Sequence, residues 1–85
     1  MLLKKGERPI DRWKYLERNL TRGTRYEFFF YDGDRFEADY SYITNGEDDV
    51  EMYIKNIKDK SPNPQYDGYK SLFIGISDLA EIRPA

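Results

Sequence analysis

Two runs of alternating aromatic residues flank Asp32 and Gly33 in the middle of the chain. An Asp-Gly pair between alternating runs is the strongest short-range signal of a β-hairpin. Side chains of a strand point alternately to its two faces, so the pattern predicts one aromatic face on each strand. This face comprises Tyr26, Phe28 and Phe30 in the first strand and Phe36, Ala38, Tyr40 and Tyr42 in the second.

An amphipathic helix over residues 10–22 is predicted to precede the hairpin. Its apolar residues fall within an arc of roughly 120° at 100° per residue. Pro9 suits its first turn, and Gly23 suits the position just after its end. The apolar arc comprises Ile10, Trp13, Leu16 and Leu20. The opposite arc is basic and comprises Arg12, Lys14, Arg18 and Arg22.

Three shorter strands are predicted after the hairpin. Val50, Met52 and Ile54 alternate with more polar residues and indicate a third strand over residues 50–58. Residues 59–69 contain two prolines and a glycine, which favour an exposed loop. A fourth strand over 70–77 and a fifth over 79–83 follow, joined by a short turn. Their inward positions include Leu72, Ile74 and Ile76.

This order of elements predicts a mainly β fold, in which an N-terminal α-helix is followed by a five-stranded, strongly bent antiparallel small barrel. We expect a single domain over residues 1–85, with the barrel at about 24–83 and a solvated basic arm at residues 1–8. The fourth and fifth strands are expected to form its edges. Ala38 is predicted to face the interior at the bend of the second strand, because a small residue lets a strand bend sharply.

The amino-acid composition excludes several classes of site and of function. The 85 residues include neither cysteine nor histidine, which excludes disulfides, the usual zinc sites and a histidine base. Catalysis would depend on carboxylates such as Asp32 and Asp34 in an exposed turn, so we expect neither enzyme activity nor a cofactor. Fourteen aromatic residues exceed what so small a core readily covers, which favours self-association.

Charge is distributed unevenly although the formal net charge is only −2. Residues 1–25 carry eight lysines and arginines against three acidic residues, whereas residues 26–51 carry one against nine. The first segment therefore suits an anionic partner better than the second. No apolar run approaches the length of a membrane span and no signal peptide is recognisable, so we expect a cytoplasmic protein without a membrane partner.

In this layout the chain resembles the Sm/LSm-like family, and within it a divergent phage-type branch, over about residues 9–83. The first motif of that family has an alternating strand, an Asn/Asp-Gly turn, a second strand with a small residue at its bend, and a loop. Asp32-Gly33, Ala38 and residues 44–49 stand in these places. The aliphatic frame of the second motif corresponds to Ile74, Ile76, Leu79 and Ile82.

The resemblance implies a closed cyclic homo-oligomer, in the pentamer-to-heptamer range, whose pore loops bind single-stranded RNA. However, Glu47 and Asp49 replace the stacking residue and asparagine of the family, and Gly75 replaces its arginine. Carboxylates repel phosphates, so any RNA is predicted to bind the helix through Lys14, Arg18 and Arg22. The alternative is a protein-interaction or structural ring that has lost the RNA pocket.

Two further groups of residues have both a structural and a functional interpretation. Aromatic side chains could stack on bases, although strand periodicity favours the core or a subunit interface; they are Phe28, Phe29, Tyr31, Tyr40 and Tyr42. The acidic loop could hold a divalent cation, but it lacks calcium-loop spacing and a solubilising turn is favoured; it comprises Glu47, Asp48, Asp49 and Glu51.

Overall fold

The computed structural model describes residues 1–85 and contains one α-helix, a five-stranded antiparallel sheet and a short 3₁₀ helix. The mainly β prediction is confirmed. The helix α1 spans Pro9–Asn19. The strands are β1 Arg25–Phe30, β2 Arg35–Asn45, β3 Val50–Asp59, β4 Ser71–Gly75 and β5 Leu79–Pro84, and the 3₁₀ helix Ile76–Asp78 joins β4 to β5.

The strands lie in the order β4-β3-β2-β1-β5, with every neighbouring pair antiparallel. The prediction that β4 and β5 are the edges is therefore confirmed. The prediction of a closed barrel is wrong, because these two edge strands do not pair with each other. The 3₁₀ helix connects one edge of the sheet to the other. β5 pairs with β1 on one side and has another partner on its outer side.

That partner is the start of the chain, which was predicted to be a solvated arm. The Leu3 N–H donates to the Ala80 carbonyl at 3.0 Å, and the Ile82 N–H donates to the Met1 carbonyl at 2.9 Å. The Leu3 side chain is buried in the core. The prediction is therefore wrong for residues 1–3, which satisfy backbone groups that an edge strand leaves unpaired.

Helix α1 ends three residues earlier than predicted. Leu20 already has extended backbone, with φ −100° and ψ 139°, and this bend places its side chain in the core beside Leu16. The apolar arc is confirmed for these two residues and for Trp13, which packs partly buried against the core. Ile10 is exposed instead.

Arg12 contradicts its predicted place on the exposed basic arc, since it is only 1% exposed. Its Nη1 donates to the carbonyls of Ile76 at 2.6 Å and Leu79 at 2.7 Å. Its Nη2 donates to the Lys4 carbonyl at 2.6 Å and to the Tyr31 hydroxyl at 3.2 Å. One guanidinium therefore ties the helix to the 3₁₀ connection and to the beginning of the chain.

Sixteen buried hydrophobic residues form the core between the helix and the curved sheet. Most predicted inward positions are confirmed, but Tyr42 points outward. Tyr40 pairs with Ile54 and Tyr42 with Tyr53, so Ser41 is an extra residue, a β-bulge. A bulge reverses the alternation that follows it. Ile43 therefore enters the core in place of Tyr42.

A second bulge lies in β3 opposite Ala38. Glu37 pairs with Lys58 and Asp39 with Lys55, which leaves Asn56 as the extra residue. Asn56 has φ 54°, a left-handed conformation that asparagine tolerates better than most residues. Ala38 is completely buried at this point. The prediction that Ala38 faces the interior is confirmed.

Candidate functional site

Three aromatic side chains form a cluster on the outer face of the sheet, here called the aromatic platform: Tyr42, Tyr53 and Phe73. The ring centroids of Tyr42 and Tyr53 are 5.1 Å apart, and those of Tyr53 and Phe73 are 4.7 Å apart. Each ring lies on a different strand, because Tyr53 pairs with Tyr42 on β2 and with Phe73 on β4. Tyr42 is 39% exposed and Phe73 is 50% exposed. The platform therefore presents aromatic surface to solvent.

Two cations flank the platform. The Arg22 guanidinium carbon lies 6.0 Å from the centroid of Tyr42, and Lys55 Nζ lies 5.6 Å from that of Tyr53. Such positions allow cation–π attraction. Neither Arg22 nor Lys55 belongs to any of the ion pairs of the protein. Their positive charge is therefore free to meet an anionic ligand.

The neighbouring face on β1 and β2 differs because its charges neutralise one another. Glu37 accepts a hydrogen bond from Arg25 Nε at 2.6 Å and lies 3.0 Å from Lys60 Nζ. These two partners lower the pKa of Glu37 from 4.5 to about 2. Glu27 likewise pairs with Arg35 at 2.7 Å. Cations without ion pairs therefore flank the platform, whereas ion pairs neutralise the charges on this neighbouring face.

Carboxylates lie beyond the other end of the platform, where residues 45–49 meet the 3₁₀ connection. The Asp49 carboxylate accepts hydrogen bonds from the Ser77 N–H at 3.1 Å and the Ser77 hydroxyl at 2.9 Å. A β-carbon at position 75 would lie 2.8 Å from Asp49 Oδ2, which is too close. A side chain at this position, such as the arginine of the family motif, would therefore require the Asp49 carboxylate to shift.

The three predicted nucleic-acid-binding residues do not form one helical surface. Lys14 and Arg18 are exposed on α1 and make no ion pair. Arg22 lies beyond the end of the helix, in the connection to β1. Of the three, Arg22 alone contacts the platform.

Of the five aromatic residues first considered for stacking, two are buried, and two others make contacts outside the platform. Phe28 and Tyr40 are buried in the core. The Phe29 ring lies between two guanidinium groups, at 5.0 Å from Arg35 and 4.8 Å from Arg83. Tyr31 donates its hydroxyl to the Leu3 carbonyl at 3.0 Å. Burial removes Phe28 and Tyr40 from stacking, whereas Phe29 is half-buried and Tyr31 keeps 42% of its surface exposed.

Tyr42 remains available, and Tyr53 and Phe73 join it although they were not predicted as a site. Alternation in β3 and β4 places Tyr53 and Phe73 on the outer face of the sheet. Met52, Ile54 and Ile74 point to the other face, into the core. The sequence signal was therefore present. Their proximity was not predictable, because it depends on the registers of two strand pairs.

The acidic loop contains no metal site in this structure, since no three carboxylates are arranged to hold a metal ion. No helix of the protein has the length and apolar character needed to cross a membrane. No family model, curated protein or solved structure matches the sequence. The fold and the site thus define a small chain with an open antiparallel sheet and a cation-flanked aromatic surface.

Proposed function

We propose that the protein binds single-stranded nucleic acid, with RNA as the preferred candidate, on the aromatic platform. The observation that carries this proposal is the combination of three adjacent rings, two of them exposed and one half-buried, with two cations that make no ion pair. Bases stack on aromatic rings largely irrespective of sequence, while nearby cations neutralise the phosphates. Arg22 and Lys55 are placed for the second role. Lys14 and Arg18 extend the basic surface on the helix.

An Sm-like assignment is part of this proposal. Its support is the order of one helix and five strands, with β4 and β5 at the edges, and the meeting of residues 45–49 with the 3₁₀ connection. The RNA site differs from what the resemblance implies. Asp49 and Gly75 leave no basic side chain between the loops, so the outer face of the sheet takes over the binding role.

Protein interaction is the second candidate, and the free edge of β4 favours it. Unpaired backbone groups along an edge strand can accept a further strand. In a closed ring of five to seven subunits, β4 of one subunit would add to β5 of the next. Residues 1–3 occupy the outer edge of β5, so this assembly requires them to leave it.

A fluorescence anisotropy titration with a short labelled uridine oligonucleotide tests the nucleic-acid proposal. Phe73→Ala removes one stacking surface, which contributes about 1 to 3 kcal/mol per base, so affinity should fall by roughly 5- to 150-fold. Tyr15→Ala is the matched control, because Tyr15 is a similarly exposed aromatic residue, at 47%, on α1. Its affinity should equal that of the unmodified protein.

Salt dependence separates the platform cations from the helix cations. Two phosphate contacts predict a slope near −1.4 in log affinity against log salt, or about a sevenfold loss from 50 to 200 mM. Four contacts predict about a fiftyfold loss. Arg22→Gln with Lys55→Gln should weaken binding more than Lys14→Gln with Arg18→Gln. If no oligonucleotide binds at 50 mM salt, the proposal fails and protein interaction becomes the better assignment.

A further inference from the structure

The two edges of the sheet are protected to very different degrees. β4 has the sequence SLFIG, with neither a charged residue nor a proline, and it pairs with β3 without a register shift. β5 carries Glu81, Arg83 and Pro84 and is partly covered by residues 1–3. Charges, prolines, bulges and covering segments are the devices that keep edge strands from pairing. β4 has none of these devices.

We propose that β4 is the docking site for β4 of a second copy of this chain. The two strands pair antiparallel across a two-fold axis at Phe73, so that Phe73 of one copy lies opposite Phe73 of the other. Such an isologous contact closes on itself and gives a dimer rather than a filament. It displaces no residue of the protein, whereas pairing with β5 requires residues 1–3 to move.

Charge complementarity supports the antiparallel direction. At one end of β4, Lys70 directly precedes Ser71, and Ser71 pairs with Lys55 of β3. At the other end, a β-carbon on Gly75 would lie 2.8 Å from an Asp49 carboxylate oxygen and 3.6 Å from one of Asp78. One end of the strand is thus basic and the other acidic. A two-fold axis sets each basic end against an acidic end, whereas parallel pairing would set like charges together.

Gly75 also favours the approach of a second backbone, because a strand glycine has no side chain to obstruct it. Pairing of the two edges would join the sheets into ten strands. The two platforms would then form a row of six rings, with Phe73 and its counterpart at the centre. This dimer does not depend on the proposed function, since it is assessed without nucleic acid.

Sedimentation equilibrium without nucleic acid tests the dimer. A five-residue strand gives a contact smaller than those of stable complexes, so the concentration series should extend to about 1 mM. We expect the mass to rise from 10.2 kDa to twice that value. A mass that stays at one chain throughout, or that continues to five or more chains, would overturn the proposal.

A charge-swap experiment tests the register. Phe73→Lys alone and Phe73→Glu alone each place like charges opposite one another across the axis, which is destabilising, and each should reduce self-association by about two- to fivefold. An equimolar mixture of the two variants should restore the dimer. Tyr15→Lys, on the helix, should leave association unchanged. Failure of the mixture to associate contradicts the placement of Phe73 opposite itself.

Amide hydrogen exchange on the unmodified protein gives a second measurement that needs no variant. Exchange within residues 71–75 should slow as concentration rises, because the new strand pair protects outward amides of β4. Exchange at Ile82, whose N–H is already bonded to Met1, should not change. Protection that appears at β5 instead of β4 would overturn the proposed interface.

Discussion

At the scale of the residue, Arg12 has the largest structural role that the sequence pattern did not indicate. It is an arginine among basic helix residues, yet its guanidinium satisfies three backbone carbonyls from two distant segments. Helical periodicity places its Cα correctly but cannot show that carbonyls of the 3₁₀ connection lie within reach. A local sequence pattern cannot predict hydrogen-bond acceptors that lie more than sixty residues away along the chain.

Arg12→Ala should be among the most destabilising substitutions in the chain. It leaves buried carbonyls without donors and opens a cavity, so the free energy of unfolding should fall by about 3 kcal/mol or more. That is a large part of the roughly 5 to 10 kcal/mol expected for a protein of this size. Urea unfolding measures the loss. Arg18→Ala, on the exposed side of the helix, should change stability by less than about 0.5 kcal/mol.

Glu37 gives stability a dependence on acidic pH. Its pKa is about 2 in the folded protein because of Arg25 and Lys60, against an ordinary value of 4.5. The unfolded chain therefore takes up a proton over a range in which the folded protein does not, and acid favours unfolding. This contribution is complete above about pH 4.5 and declines as the pH falls towards 2.

Thermal melts of the unmodified protein and of Glu37→Gln measure that contribution. The unmodified protein should melt at a higher temperature at neutral pH, and the difference should shrink as the pH falls from about 4.5 to about 2. Glu47→Gln is a suitable control, since Glu47 is exposed and makes no ion pair. A difference between the two proteins that is constant over this range would contradict the assignment.

At the scale of the element, alternation and turn residues predicted the five strands, but β4 ends at Gly75, two residues before its predicted end, because the chain enters the 3₁₀ helix at Ile76. The faces of β2 were predicted correctly only up to its bulge. Ser41 is a small polar residue that nothing in the local pattern marks as extra. Its bulge is favoured by tertiary packing, which brings Ile43 into the core. Tyr42 consequently points outward and belongs to the platform, although alternation alone predicted that it faces inward.

Ala38→Leu tests the geometry of this irregular region. Ala38 is fully buried opposite the Asn56 bulge, so three additional carbons have no free volume to occupy. Overpacking of this kind costs about 1 to 3 kcal/mol. A lowered melting temperature with an unchanged fold is the expected result. An unaltered melting temperature would show that the interior at this point can expand.

At the scale of the whole molecule, the sequence predicted which strands are edges but not how the sheet ends. Closure depends on whether β4 and β5 meet, and that depends on competition for the edge of β5. Residues 1–3 are apolar, but Lys4 and Lys5 follow them directly, and the basic character of residues 4–8 led to the prediction of a solvated arm. The two leucines and the backbone groups that pair with β5 carry no periodic signal. The candidate site was equally hard to predict, because it combines three strands and a loop.

Trp13 has a practical consequence for the unfolding measurements proposed above. It is the single tryptophan of the chain, it packs against the core from α1, and its Nε1 is buried without a hydrogen-bond partner. Its fluorescence emission therefore reports on contact between helix and sheet, and it should shift to the red when water reaches the indole. The platform rings are tyrosine and phenylalanine, so excitation above the tyrosine band separates helix docking from events on the outer face. The protein thus carries an intrinsic optical probe and needs no attached dye for unfolding experiments.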